Sequence, residues 1–440
     1  MNEKSTGWPT LVRALKYRNF RLFFMGQIFS QIGTWMQSIA MGWLAYEMTG
    51  SEVVLGVVSF AGQIPAFLGA PTGGVLADRW NRHRLLFTTQ LLAMCQALTL
   101  AIMYSTGTLT LPGIITLTAI QGIINGFDIP IRHSFVLEMV ENRDDLGNAI
   151  ALNSSVFNGA RLIGPTIAGI LIARYGEGIC FWFNGLSYIA ILLALAAMKL
   201  NHTKPLVTIQ HQHPFDGFKE GLKYAAGFAP IRSVLLLICL FSFVPFTVLL
   251  PVFAKIHLHG DSHTYGFLVG ASGLGAFFGA VFLAARPNAQ GLGKIIGSAC
   301  TIFGVGIMAF AFSNILWLSL ILMVLVGFGM MVTSAASNTV LQTIADDDKR
   351  GRVMSFYTMA FMGAAPLGSL VGGILAKQIG APNTFLFSGF CCIFGAILFS
   401  LKVPALIEIV RQSRRPAPEE NTPLSPNIEP EPQLLASSEK

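Results

Sequence analysis

Asp128, Arg132 and Arg161 are charged residues set inside long apolar stretches, and they carry the most chemistry this sequence has to offer. On insertion scales a charge at the centre of a membrane helix costs on the order of 2.5–3.5 kcal/mol, so such residues are expected to pair or to line water. At 100° per residue, Gln121, Asn125, Asp128 and Arg132 fall within an arc of about 60° on one helix. Gln27, Gln31, Thr34 and Ser38 make a second polar stripe, and Ser154, Asn158 and Arg161 a third. Stripes this polar cannot face lipid, so the first, fourth and fifth helices of the chain are expected to line a water-accessible cavity.

Counted from the break near residues 140–145, Asp128 lies about twelve residues up one helix and Arg161 about sixteen up the next, a depth difference of about 6 Å. An Asp128–Arg161 ion pair is therefore expected, with Arg132, four residues from Asp128 on the same face, as the competing partner. Such a pair either locks two helices together or is contested by cargo or a proton during a working cycle. Glu47 and Glu52, at the outer ends of the first two helices, are the alternative proton sites. Helix ten offers only Ser334, Ser337 and Asn338, and no acidic residue lies between Asp261 and Asp346. An apolar wall is expected there, with Phe246, Phe277, Phe278 and Met330 as contributors.

Other chemistry is missing. No glycine loop with its lysine is present to cradle a nucleotide phosphate, and no nucleophile sits beside a base, which argues against an ATP-driven pump and against an enzyme. The six cysteines all fall in apolar segments without metal-ligand spacing, so neither disulfide, metal nor cofactor is expected.

The elements that must position these residues follow from composition. Of 440 residues, 53% are hydrophobic and 12% charged, against about a quarter charged in an average soluble protein. Apolar runs of about 20 residues, the length that crosses a hydrocarbon core, recur along the whole chain. An all-α membrane protein is expected, with helices near 20–46, 52–76, 85–105, 110–138, 146–174, 178–199, 231–255, 264–285, 294–312, 315–343, 352–377 and 382–402. Twelve crossings put both ends on one side. Lys and Arg gather there, with Arg174, Lys255 and Lys377 on the other side and Arg161 in mid-membrane, so the shared side reads as cytoplasmic. No cleavage pattern follows the first run, which reads as a transmembrane helix and not a signal peptide. The net charge of +7 lies in short loops with no basic, aromatic-rich face, so it reports topology and not nucleic-acid binding.

Residues 1–200 and 231–403 are expected to form two six-helix bundles, joined by a cytoplasmic linker at 201–230 and followed by a disordered, dispensable tail at 404–440. A shift of 204 positions lays Asp144, Gly147, Gly159, Gly164 and Gly169 on Asp348, Gly351, Gly363, Gly368 and Gly373. A shift of 210 pairs Gly56 and Gly69 with Gly266 and Gly279. Repeats of this kind mark transporters whose site lies between two bundles that rock against each other.

After the second helix comes Gly74-Val-Leu-Ala-Asp78-Arg79-Trp-Asn-Arg82-His-Arg84, which resembles the signature loop of the major facilitator superfamily. The resemblance implies that Asp78 caps the start of helix eleven while Arg82 meets an acid at the end of helix four, a position Glu138 fits. Such contacts would latch the halves in an outward-open state; the other reading is that these charges serve topology alone. Asn81 stands where the family usually has glycine, so a slightly different turn is expected. In helix five, Gly159-Ala-Arg161-Leu-Ile-Gly164-Pro165-Thr-Ile-Ala-Gly169 resembles the glycine-proline motif of antiporters in that superfamily, with Ala160 and Ala168 in place of glycines. Gly164, Pro165 and Gly169 would pack and bend the helix.

The run Asp128-Ile-Pro130-Ile-Arg132-His, with Asn148-Ala and Asn158-Gly-Ala-Arg161, resembles the secretion-effector branch that includes the enterobactin exporter and macrolide efflux pumps. That likeness implies a secondary exporter of an amphipathic, siderophore-like or drug-like small molecule, monomeric in a bacterial inner membrane and exchanging cargo for protons. A lipid or lysolipid translocator in the same fold, uptake instead of export, and a non-transporting receptor or scaffold are the alternatives.

Overall fold

In hydrocarbon a backbone N–H or C=O without a partner costs several kcal/mol, and a helix satisfies its own, so each apolar run becomes helical. The computed structural model describes residues 10–199, 222–286, 291–346 and 349–401. The first bundle comprises α1 (Arg18–Thr49), α2 (Glu52–Arg79), α3 (Arg82–Ser105), α4 (Leu111–Val136), α5 (Leu146–Tyr175) and α6 (Gly178–Ala196). The second comprises α7 (Ala229–Ser242), α8 (Ser262–Ala284), α9 (Leu292–Ala311), α10 (Leu316–Ile344), α11 (Arg350–Ile379) and α12 (Ala381–Ser400). Most of the linker expected at 201–230 and the tail expected at 404–440 lie outside the described residues.

Ten of these helices are long and apolar enough to cross a membrane. The other two are α1, whose hydropathy is lowered by its polar stripe, and α7, which is short. The sequence predicts one continuous helix over 231–255; instead the chain leaves the helix after Ser242 and resumes at Leu250–Val252, followed by a π turn at Phe253–His257. Pro245 sits in the break and has no N–H to donate, which is reason enough for a helix to stop. The broken stretch lies against α11, where Gly368 meets the Phe243 backbone and Gly372 meets the Pro245 ring.

Helix ends follow their local chemistry. Asn81 caps α3 by accepting from the Arg84 N–H at 3.0 Å, with φ −66°, so the turn needs no glycine at that position. Asp261 caps α8 through the N–H groups of His263 and Thr264. Gly176 and Gly380, again 204 positions apart, close α5 and α11 at φ 76° and 84°, a region that glycine enters without penalty.

Within the first bundle α1 packs on α5 and α6, α2 on α4, and α3 on α4 and α6. Within the second, α10 packs on α8 and α9, α12 on α9, and α7 on α11. The two bundles meet along α5–α8 and α2–α11. Close approach there rests on the repeated glycines. A Cβ on Gly169 would stand 3.1 Å from the Gly266 Cα, and one on Gly373 would stand 3.2 Å from the Gly56 Cα. These are pseudo-equivalent contacts, one on each side of the molecule.

The face carrying the N-terminus is built up further by a short helical segment, Thr10–Lys16. Asp145, just before α5, is 1% exposed and receives Arg13 at 2.5 Å, Lys16 at 2.6 Å and the Tyr17 hydroxyl at 2.8 Å. The Lys16 ammonium holds the Asp145 carboxyl below the usual carboxylate range. A similar arrangement recurs in the second bundle, where the Tyr224 hydroxyl accepts from the Asp346 N–H at 3.4 Å and Lys349 lies over the Tyr224 ring.

Candidate functional site

The site is assembled at mid-depth, where the polar stripes of the first bundle converge. On α4, Asp128 pairs with Arg132, Oδ2 to Nη2 at 3.0 Å. Its other oxygen accepts from Thr89 Oγ1 at 2.8 Å and Gln90 Nε2 at 2.7 Å, both on α3. Arg132 also reaches α1, donating to Gln27 Oε1 at 3.4 Å, and Gln31 donates to the same oxygen at 3.1 Å. Three helices are thereby joined through one buried carboxylate, which is 4% exposed. Each bond to this carboxylate is charge-assisted, and such bonds are about twice as strong as those between neutral groups.

The expected Asp128–Arg161 pair is not formed. Pro130 leaves α4 continuous, so Arg132 stays one turn away on the same face and takes the carboxylate. Arg161 points elsewhere. Its Nη2 donates to the Met330 sulfur on α10 at 3.3 Å, and its guanidinium carbon lies 5.9 Å from the Trp35 ring centroid. Trp35 in turn meets Phe157 edge to face at 5.9 Å.

The remaining stripe residues divide between the two centres. Thr34 shares a hydrogen bond with the Tyr188 hydroxyl on α6 at 3.3 Å, while Ser38, one turn on, is exposed. Gln121 donates to Asn125 at 3.1 Å, and Asn158 donates to the Ser154 carbonyl at 2.9 Å. Sequence reasoning missed Thr89, Gln90 and Tyr188. The signal was present as the pair Thr89-Gln90 inside the apolar run of α3, and lacked only a partner stripe to give it meaning.

The wall contributed by the second bundle is not the apolar surface expected. Phe246 is 7% exposed and packs edge-on against Phe303 at 5.6 Å, because the break in α7 turns it into the core. Ser334, Asn338 and Tyr357 form a neutral polar strip; the Tyr357 hydroxyl donates to the Ser334 carbonyl at 3.0 Å. Phe277 and Phe278 are about half exposed, at 48% and 51%, and Met330 touches Arg161.

The loop between α2 and α3 places Arg82 at 2.8 Å from Glu138, with Asp78 at 3.5 Å and the Ala77 carbonyl at 2.9 Å. Arg79 and Arg84 are exposed, and the space beside Gly74 is open. Asp78 turns back to Arg82, and among the described residues no side chain caps the first turn of α11. In α5, Gly164 lies against Trp35 of α1, Gly169 against Ser262 and Gly266 of α8, and Pro165 sits within a continuous helix.

The two bundles touch through a small set of polar and aromatic contacts. Polar contacts between the bundles run from the face opposite the N-terminus, Glu47–Lys255 at 3.1 Å and Ser262–Gly169 at 3.2 Å, through Ser59–Ser369 at 3.1 Å, to Arg161–Met330 at mid-depth. Trp43 and Tyr265 stack across the same face, centroids 6.2 Å apart. Towards the terminal face, among the described residues nothing lies within 4 Å of a Cβ position on Gly147, Gly159 or Gly351. The polar and aromatic contacts that join the bundles thus gather on the face opposite Thr10–Lys16.

The fold is shared with solved transporters at low identity. A POT family transporter in complex with a thioalcohol-conjugated peptide superposes with a TM-score of 0.71 at 13% identity, covering 88% of this chain and 96% of that one. A D-xylose-proton symporter gives 0.69 at 14%, covering 87% and 97%. By sequence, the Staphyloferrin A transporter of Staphylococcus aureus is 25% identical over 384 residues, 86% of this chain and 95% of that protein. The multidrug efflux pump Tap of Mycobacterium tuberculosis is 23% identical over 397 residues, 88% of this chain and 94% of its own length. The macrolide efflux protein A of Streptococcus pyogenes is 22% identical over 394 residues, 87% and 96%. Residues 10–430 match the transmembrane secretion effectors, and the chain belongs to that family of major facilitator transporters.

Proposed function

We propose that this chain is a secondary active exporter that carries an amphipathic organic molecule out of a bacterial cytoplasm in exchange for protons. The observation that carries the reading is a buried charge network, Asp128–Arg132–Gln27, inside one of two bundles that meet through glycine contacts. A scaffold or receptor has no need of a polar centre that costs this much to bury. The names of the relatives point the same way: one moves a siderophore, and two are efflux proteins. Arg79, Arg82 and Arg84 line the terminal face, so the positive-inside rule sets that face in the cytoplasm and makes this conformation inward-open. The working unit is a monomer, since the two bundles already enclose the cavity.

In this cycle Asp128 is the proton-binding group. Cargo or movement of α1 that draws Arg132 away leaves the carboxylate with two neutral donors, and a proton then replaces the guanidinium. Rocking to the outward-open state brings the α2–α3 loop to the start of α11, where Asp78 is favourable beside the first-turn N–H groups. Everted membrane vesicles test the reading. Accumulation of a cargo, identified from the metabolites that a deletion strain retains, is expected to depend on an imposed proton gradient and to stop when the gradient is collapsed. Accumulation unaffected by that collapse would remove proton exchange, and loss of cargo from the vesicles under the same gradient would reverse the direction.

A further inference from the structure

We propose that Arg161, walled by Trp35 and Met330, is the seat of an anionic group on the cargo, which therefore carries a carboxylate or another oxyanion beside an aromatic or alkyl body. The inference rests on the exporter reading above and narrows it. Among the described residues Arg161 makes no ion pair; its contacts are a thioether sulfur at 3.3 Å and an indole face at 5.9 Å. A guanidinium presents five N–H donors in a planar fork that matches a carboxylate, and a sulfur is a weak acceptor for one of them.

Among the described residues no acid completes it. Asp128, the carboxylate at comparable depth, is already held by Arg132, Thr89 and Gln90. The second bundle supplies none from α8, α9 or α10, because the sequence between Asp261 and Asp346 contains no Asp or Glu. A cation kept in a membrane interior without a counter-ion is destabilising, so its retention here calls for an anion from outside the chain. The neighbouring surfaces suit an organic anion and not a hydrated inorganic one. Trp35 and Phe157 give an edge-to-face aromatic wall, with Phe157 48% exposed. Ser334 and Tyr357 supply neutral hydrogen-bonding groups on the opposite bundle.

Position adds a consequence for transport. A Cβ on Gly273 of α8 would stand 3.0 Å from the Arg161 carbonyl oxygen, so this turn of α5 is held directly against the other half. An anion bound to the guanidinium contacts a side chain at the joint between the bundles, and its arrival competes with the Arg161–Met330 contact that spans them.

The test uses three probes with one ring and three charges: 2-naphthoate, 2-naphthamide and 2-naphthylmethylammonium. Their affinities are measured by calorimetry on the purified full-length protein in detergent. The wild type is expected to bind the carboxylate at least about tenfold more tightly than the amide, the size of one good charge-assisted contact. Arg161→Gln should abolish that preference, Arg161→Lys should keep part of it, and Arg174→Gln at the outer end of α5 should not change it. Should Arg161→Gln fail to fold, the wild-type preference must still weaken as chloride is raised, since chloride competes for the same guanidinium. Equal affinity for the three probes, or a preference that survives Arg161→Gln, overturns the proposal. Vesicle transport separates the two readings. Proton-driven export of a cationic dye without any carboxylate preference leaves the exporter standing and removes the anion seat. A carboxylate preference lost in Arg161→Gln, in a protein that moves no cargo, supports the seat and removes the exporter.

Discussion

Asp128 and Arg132 are bonded one turn apart on α4 at 3.0 Å, and the same carboxylate ties α4 to α3 through Thr89 and Gln90. The acid is therefore compensated within its own bundle. Arg161, 33 positions along the chain, is left to meet the other bundle.

This pairing predicts how substitutions at the two residues combine. Asp128→Asn leaves Arg132 partly buried without its counter-ion, and Arg132→Gln leaves the carboxylate with two neutral donors. Each single variant is expected to lose proton-driven export by on the order of tenfold or more, equivalent to about 1.4 kcal/mol. A purely structural pair would show poor membrane expression in the singles and recovery of both expression and transport in the double variant. A coupling pair leaves protein well inserted in all three variants and export uncoupled in each.

Arg82 is held by Glu138, Asp78 and the Ala77 carbonyl. Glu138→Gln frees one of these contacts, whereas Asp78→Asn removes the charge proposed to meet the start of α11 in the outward-open state. Asp78→Asn should lower the outward-open population and slow transport with expression intact, as reported by labelling of single cysteines on the two faces. Unchanged labelling and unchanged transport in Asp78→Asn would assign the loop to topology alone.

On the face opposite Thr10–Lys16 the bundles approach through glycine at two pseudo-equivalent crossings. A Cβ on Gly169 would stand 2.6 Å from the Ser262 carbonyl oxygen, and a Cβ on Gly56 2.7 Å from that of Ser369. Gly169→Val and Gly56→Val are expected to prise the outer ends apart and favour the outward-open state. The readout is increased accessibility of a cysteine placed at Ser59 or Ser262, and no change in accessibility would show that the crossing tolerates side chains.

The N-terminal collar has a defined pH dependence. Lys16 depresses the Asp145 pKa, so the stabilisation is present above the ordinary carboxylate range and is lost as pH falls through the depressed value. The Lys16 pKa is raised by the same partner, so its share is lost only as pH rises above the ordinary lysine range. Asp145→Asn should lower the thermal midpoint at neutral pH, and the gap to wild type should close in strong acid. A gap that persists below the carboxylate range would mean that the collar is held by packing alone.

Much of this protein follows from its sequence. Apolar runs of membrane length and glycines repeating at 204 and 210 positions mark the helices and their two-bundle grouping. Those are local or periodic properties, and hydrocarbon enforces them because it leaves unpaired backbone no alternative. The stripes on α1, α4 and α5 were equally legible, since 100° per residue depends on nothing beyond the helix itself. What a stripe meets is different. Depth along two helices allowed Asp128 to pair with Arg132 or Arg161; the rotation of α5 about its axis, set by Gly164 against Trp35 and Gly273 against the Arg161 backbone, turned the guanidinium to Met330. The α7 break likewise decided that Phe246 is core, packed against Phe303. Only tertiary structure could decide these, because a long side chain's partner depends on angles between helices that no spacing within one helix records.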